Sequence, residues 1–121
     1  MDRARVEVKQ IKNVYQKLRI LSVETRLRML VLLSKRRLCV SAISCRLGLT
    51  QGAVSQHLKI LREEGLVIAE RLGYYIYYRV DERALADWIE EIDGLLQGLS
   101  KEAATEYKPL EAQPTQCIRQ R

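Results

Sequence analysis

The stretch LGLTQGAVSQHLKILREEGLV, residues 47–67, constrains this chain more than any other, because it reads as a turn feeding a helix with two unlike faces. At about 100° per residue, Val54, Leu58 and Leu61 share a narrow apolar stripe, while Gly52, Gln56 and Lys59 lie on the far side with Ser55 at its edge. The stripe is for packing. The far side carries small and amide-bearing groups and one cation, a set that suits base edges and phosphates: Gln can hydrogen-bond a base at two points, Ser adapts, and Lys neutralises a phosphate.

The flanking sequence extends this helix into a domain. Ile11, Val14, Tyr15, Leu18 and Leu21 recur at helical spacing, which predicts a first helix over 6–20, broken by Ser22 and Val23. A second, almost all-round apolar helix is expected over 24–34, then a solvated turn at Lys35, Arg36 and Arg37. RLCV, residues 37–40, reads as a short strand before a third helix at 41–47. Gly48 closes that helix in a left-handed conformation, and Thr50 caps the fourth, expected over 50–64 and stopped by Gly65. There the period changes from 3.6 to 2. LVIAER and YYIYYRV flank a tight connection at Gly73 and read as a hairpin, with Ile76, Tyr78 and Val80 on one face, Tyr75, Tyr77 and Arg79 on the other, and Arg71 near its tip.

After Asp81, a predicted N-cap, comes the strongest amphipathic pattern: Leu85, Trp88, Ile89, Ile92, Leu95, Leu96 and Leu99 fall on one side of a helix over 82–103. So wide a stripe exceeds what four short helices and a hairpin can cover, which predicts a two-fold homodimer. The first helix is the expected partner surface, its Lys9, Lys12 and Lys17 complementing Asp87, Glu90, Glu91 and Asp93. Gly94 and Gly98, opposite the leucines, are expected to weaken the end of this helix. Residues 1–106 therefore read as one domain, mainly α with a small β-hairpin, and 107–121, with two prolines, as a flexible tail.

Composition narrows the function classes. The net charge of +6 is unevenly placed: residues 1–38 carry 11 Lys/Arg against 3 Asp/Glu, and residues 81–121 carry 5 against 9. A basic front favours a polyanionic partner. No run of 18 apolar residues occurs and the charged start has no apolar stretch behind it, so neither a membrane span nor a signal peptide is expected and the chain reads as cytoplasmic. Cys39, Cys45 and Cys117, an odd set without a C-x-x-C pair, fit reduced thiols. An enzyme is not expected: there is no Ser/His/Asp set, no paired carboxylates outside a solvated helix face and no phosphate-cradling glycine loop.

Taken together, TRLRML, LGLTQGAVSQHLKILREEGLV and the YYRV strand give residues 21–80, about half the chain, a resemblance to the ArsR/SmtB family of bacterial and archaeal repressors. The resemblance implies a winged helix-turn-helix, α-α-α-α-β-β-α, that dimerises through its first and last helices. It also implies binding to double-stranded operator DNA and release when an inducer binds. Carried over residue by residue, the DNA-facing positions are Gln51, Gly52, Ser55, Gln56 and Lys59, with Arg71 as a wing contact and Arg46 as a phosphate contact. His57, the only histidine, lies between the two faces and is expected to make a hydrogen bond rather than to bind a metal.

The inducer is where the family pattern breaks. Soft-metal-sensing members carry Cys-Val-Cys at the start of the third helix, often with a further Cys three residues on, because thiophilic ions want convergent thiolates. This chain reads Cys39-Val40-Ser41, with Ser44 at the later place. Cys45 lies about 120° from Cys39 around a continuous helix. Cys117 lies in the tail. At the family's zinc site between the last helices, Asp81 aligns, but Arg83, Gly94 and Gln97 fall where ligands are needed, so that site is not expected. Nor do the second and last helices hold the paired thiols of sulfur-sensing members. The residues leave open arsenite or another soft ion at Cys39, Cys45 and Cys117, a redox or small-molecule signal, constitutive binding, and a protein-interaction module that no longer reads DNA.

Overall fold

The computed structural model describes residues 6–105. Seven elements follow in order: α1 (Val8–Leu21), α2 (Glu24–Lys35), α3 (Val40–Leu47), α4 (Gln51–Glu63), β1 (Val67–Leu72), β2 (Tyr75–Val80) and α5 (Glu82–Thr105). This is a winged helix-turn-helix, and the expected helices and hairpin strands lie within two residues of their predicted bounds. The predicted tail lies outside the described residues.

The core forms where the apolar stripe of α4 meets α2, α3 and the base of the hairpin. Val54, Leu58 and Leu61 are buried with Met29, Leu33, Ile43, Leu66, Val67, Val80 and Trp88. Local chemistry sets the element ends. Gly48 ends α3 at φ 68°, a left-handed value that costs a residue with a Cβ. Thr50 then caps α4, its hydroxyl oxygen accepting from the Ala53 N–H at 3.1 Å. Asp81 does the same for α5, accepting from the Arg83 and Ala84 N–H groups at 3.1 and 3.2 Å.

β1 and β2 pair antiparallel, from Val67 opposite Val80 to Leu72 opposite Tyr75. The strand expected over 37–40 reduces to one bridge. Leu38 and Tyr78 exchange backbone hydrogen bonds of 3.1 and 2.8 Å, and the chain then turns directly into α3.

The last helix departs from expectation in two ways. It continues through Thr105 without fraying at its glycines, and Gly98 faces the segment leading into α1: a Cβ there would stand 3.4 Å from Val6 Cγ2. Within one chain, α1 already meets the acidic side of α5 at one point. Lys17 reaches Glu91 at 3.0 Å, and its ammonium lies 5.4 Å from the ring centroid of Trp88. Glu91 is the only carboxylate of that side with an ion pair among the described residues, and apolar residues of both helices are left uncovered. Ile11, Tyr15 and Leu18 on α1 and Ile89, Leu96 and Leu99 on α5 are all exposed. Among the described residues no helix is long and apolar enough to cross a membrane.

Candidate nucleic-acid interface

The turn into α4 is held by Ser44. Its carbonyl accepts from the N–H groups of Gly48 and Leu49 at 2.9 and 3.1 Å, and its hydroxyl donates to the Leu49 carbonyl. Fixing this turn fixes the aim of α4. Because one stripe of that helix is fully buried, the opposite side must face solvent. Gln51, Gly52, Ser55, Gln56 and Lys59 are all exposed there. No acidic residue occurs in α4 before Glu63, so from the Thr50 cap to Arg62 the helix presents amides, hydroxyls and cations only. Its N-terminal end adds the positive end of the helix dipole, which favours phosphate.

Arg46, near the end of α3, and Arg71, on β1, are both exposed. Beside the Tyr75 and Tyr77 that patterning placed on one face, the hairpin carries a tyrosine it did not single out, Tyr74. Tyr74, in the turn after Gly73, is 97 % exposed, and the Tyr75 and Tyr77 rings stand 6.4 Å apart at 60°. Gly73 has φ 67°, which lets the turn reverse within two residues and thrust Tyr74 outward. The signal was an aromatic residue immediately after the turn glycine.

The hairpin is tethered to α2. Glu70 on β1 pairs with Arg79 on β2 at 3.1 Å and with Arg37 beyond α2 at 3.3 Å. A second tether holds α4. Arg26 of α2 donates from Nε to His57 Nδ1 at 3.3 Å and from Nη1 to the Ile20 carbonyl at 3.1 Å, joining α1, α2 and α4 through one guanidinium. His57 thus makes the hydrogen bond expected of it.

Burial first, and the Arg26 charge second, hold the His57 imidazole below its ordinary pKa. Only the neutral ring can accept from Arg26. The unfolded chain therefore takes up a proton before the folded one does, and stability falls as pH drops through about 6.5, the unperturbed value. The melting temperature of the protein is expected to fall more between pH 7.5 and pH 5.5 than that of His57→Asn, measured by circular dichroism. Equal falls would contradict the role given to Arg26 and His57.

The cysteines are placed less purposefully. Cys39 is half-buried at the N-cap of α3, its sulfur 3.4 Å from the Ser41 hydroxyl. That hydrogen bond, followed by one from the Ala42 backbone, lowers the thiol pKa against an opposing effect of burial. Cys45 is exposed, and Cys117 lies outside the described residues. Ser41 and Ser44 offer hydroxyls where a soft ion needs thiolates, and the Ser44 hydroxyl is already engaged by Leu49. Among the described residues no three His, Cys, Asp or Glu side chains converge to hold a metal ion.

Comparison with known proteins places this arrangement. The family model described as "Bacterial regulatory protein, arsR family" matches residues 24–69. The transcriptional activator HlyU of Vibrio cholerae is 36% identical over 73 residues, 60% of this chain and 68% of that protein. The arsenical resistance operon repressor of Escherichia coli K12 is 37% identical over 78 residues, 64% of this chain and 66% of that protein. Two other curated relatives are matched over 55% and 63% of their own length. Among solved structures, the homodimeric winged helix-turn-helix DNA-binding domain of Mb0332 from Mycobacterium bovis superposes with a TM-score of 0.56 at 27% identity, covering 86% of this chain and 90% of that one. A winged helix-turn-helix with a buried stripe and an acid-free outer face on α4 accompanies these matches, and the chain belongs to the arsR family of bacterial regulatory proteins.

Proposed function

We propose that this protein is a dimeric, sequence-specific transcriptional repressor of the ArsR type that acts in the cytoplasm on double-stranded operator DNA. The observation that carries the reading is the outer face of α4, exposed and free of carboxylates over its first three turns. In this reading Gln51, Ser55 and Gln56 meet base edges, and Gly52 lets the helix approach closely. Lys59 and Arg46 meet phosphates, and Arg71 reaches the neighbouring groove from the wing. Two copies joined through the exposed rows of α1 and α5 would present two such helices to successive major grooves of an imperfect palindrome. The homodimeric Mb0332 domain supports that assembly. The repressor named from Escherichia coli supports the sign of regulation, although the HlyU relative is named an activator.

An anisotropy titration of the duplex upstream of the protein's own gene tests the reading. Affinity is expected to exceed that for an unrelated duplex of equal length and to fall steeply with salt, because Lys and Arg displace condensed counterions. Equal affinity for both duplexes would overturn it.

Relatives named for arsenic resistance support a thiophilic inducer such as arsenite, with Cys39 as its thiolate and Cys45 or Cys117 as further ligands. Arsenite is then expected to weaken duplex binding by the wild-type protein and to leave Cys39→Ser unaffected. If arsenite, cadmium and zinc all fail to release the wild-type protein, metal sensing is removed.

A further inference from the structure

Between the end of α2, the end of β2 and the first half of α5 lies an open cleft of about 350 Å³. Its apolar side is formed by Leu33 and Val80, both buried, with Leu85, Ala86 and Ile89 from α5, Ile89 also standing at the start of the exposed α5 row. Its polar side is strongly cationic: among the described residues, Lys35, Arg36, Arg37 and Arg79 line it against a single carboxylate, Glu82. Arg37 and Arg79 share one carboxylate, Glu70, while Lys35 and Arg36 have no ion-pair partner among the described residues. Two guanidiniums on one carboxylate, beside two uncompensated cations, leave positive charge facing an apolar wall.

We propose that this cleft is a binding site for a small organic anion, a monocarboxylate with a compact apolar body. The volume lies at the lower end of the range for ligand pockets, about 300–1,000 Å³, and suits a small molecule rather than a peptide. The apolar body lies against Leu33, Val80 and Leu85, and the carboxylate meets the guanidinium side. Guanidinium matches a carboxylate in planar, two-point fashion, which an ammonium or a neutral amide of the same shape cannot reproduce as a ligand.

Occupancy has a consequence for the wing. Glu70 is the link between Arg37 and the hairpin, so a ligand carboxylate that engages Arg37 and Arg79 competes with Glu70 and loosens the wing from the end of α2. This coupling to DNA affinity rests on the repressor reading above; the binding site does not. Neither Cys39 nor Cys45 lines the cleft, so its ligand acts independently of those two thiols.

Isothermal titration of the full chain with octanoate and with 4-phenylbutanoate tests the site, with octanamide and octylammonium as controls that remove or invert the charge. The carboxylates are expected to bind at least tenfold more tightly than either control. Ala86→Trp, which fills the cleft from an exposed helix position, and Arg37→Gln, which removes one guanidinium, should each weaken binding at least tenfold with helix content and melting temperature retained. Equal binding of octanamide would overturn the anion assignment, and unaltered binding by Ala86→Trp would move the ligand elsewhere, such as the exposed α1 and α5 rows. No binding of either carboxylate would overturn the site. In the presence of octanoate, affinity for the upstream duplex should fall at least fivefold in the wild-type protein and remain unchanged in Ala86→Trp. Carboxylate binding without that fall would overturn the coupling to the wing. Carboxylate binding by a protein that recognises no duplex would overturn the repressor reading and uphold the site.

Discussion

Replacing Leu96 by Asp is expected to leave each chain folded, convert the dimer to a monomer and lower operator affinity by about 10²–10⁴-fold, the range by which joining two modules raises avidity. Leu96 is 56 % exposed in the single chain, and its neighbours in the row, Ile89 and Leu99, are 58 % and 51 % exposed. A polar substitution at such a position changes the stability of an isolated chain by about 0.5 kcal/mol or less. In a two-fold interface the same substitution enters twice, placing two carboxylates within an apolar face at a cost of several kcal/mol unless they are paired. Sedimentation analysis reads the mass, and anisotropy with one half-site and with the full palindrome reads the affinity. A mutant that remains dimeric would place the interface elsewhere.

Leu61→Ala is the second large effect, and it falls on stability rather than recognition. Leu61 is fully buried on the inner stripe of α4, within the cluster that holds Met29, Leu33 and Leu66. Truncating a buried leucine costs about 2–5 kcal/mol, through lost transfer energy and the cavity left behind. That is a large share of the roughly 5–15 kcal/mol that holds a domain folded. At about 4–8 °C per kcal/mol for a domain of up to 100 residues, the melting temperature should fall by about 10–30 °C. Gln56→Ala, five positions earlier on the same helix but exposed, should leave it within a few degrees. Equal thermal effects of the two substitutions would contradict the division of α4 into a packed and a reading face.

That division was legible in the sequence because it depends only on helical period. So were the ends of the elements, since Gly48, Thr50 and Asp81 act on backbone groups a few residues away. Patterning could not say which side chains meet across the fold. The pairing of Arg26 with His57 joins residues 31 positions apart, and the sharing of Glu70 by Arg37 and Arg79 depends on where the chain turns after α2. The acidic side of α5 shows the same limit. Its charges implied a basic neighbour, and Lys17 meets Glu91 within one chain, but charge alone does not say whether the remaining carboxylates face α1 of the same chain or of a partner. For the cysteines, spacing predicted an incomplete ligand set, and the structure adds what the hydroxyls do instead. Ser44 organises the turn that aims α4, and Ser41 stabilises the Cys39 thiolate.

The central claim is that the outer face of α4 reads sequence, and base-pair substitution of the operator tests it most directly. Wild-type protein and Gln56→Ala are titrated against the upstream palindrome and against each single base-pair variant of one half-site, with Lys59→Ala in parallel. The wild-type protein should discriminate among the variants. Gln56→Ala should bind the palindrome about 1–3 kcal/mol more weakly and lose discrimination at its own position, while Lys59→Ala weakens all duplexes evenly. Binding by Gln56→Ala that matches the wild type on every duplex would contradict the account.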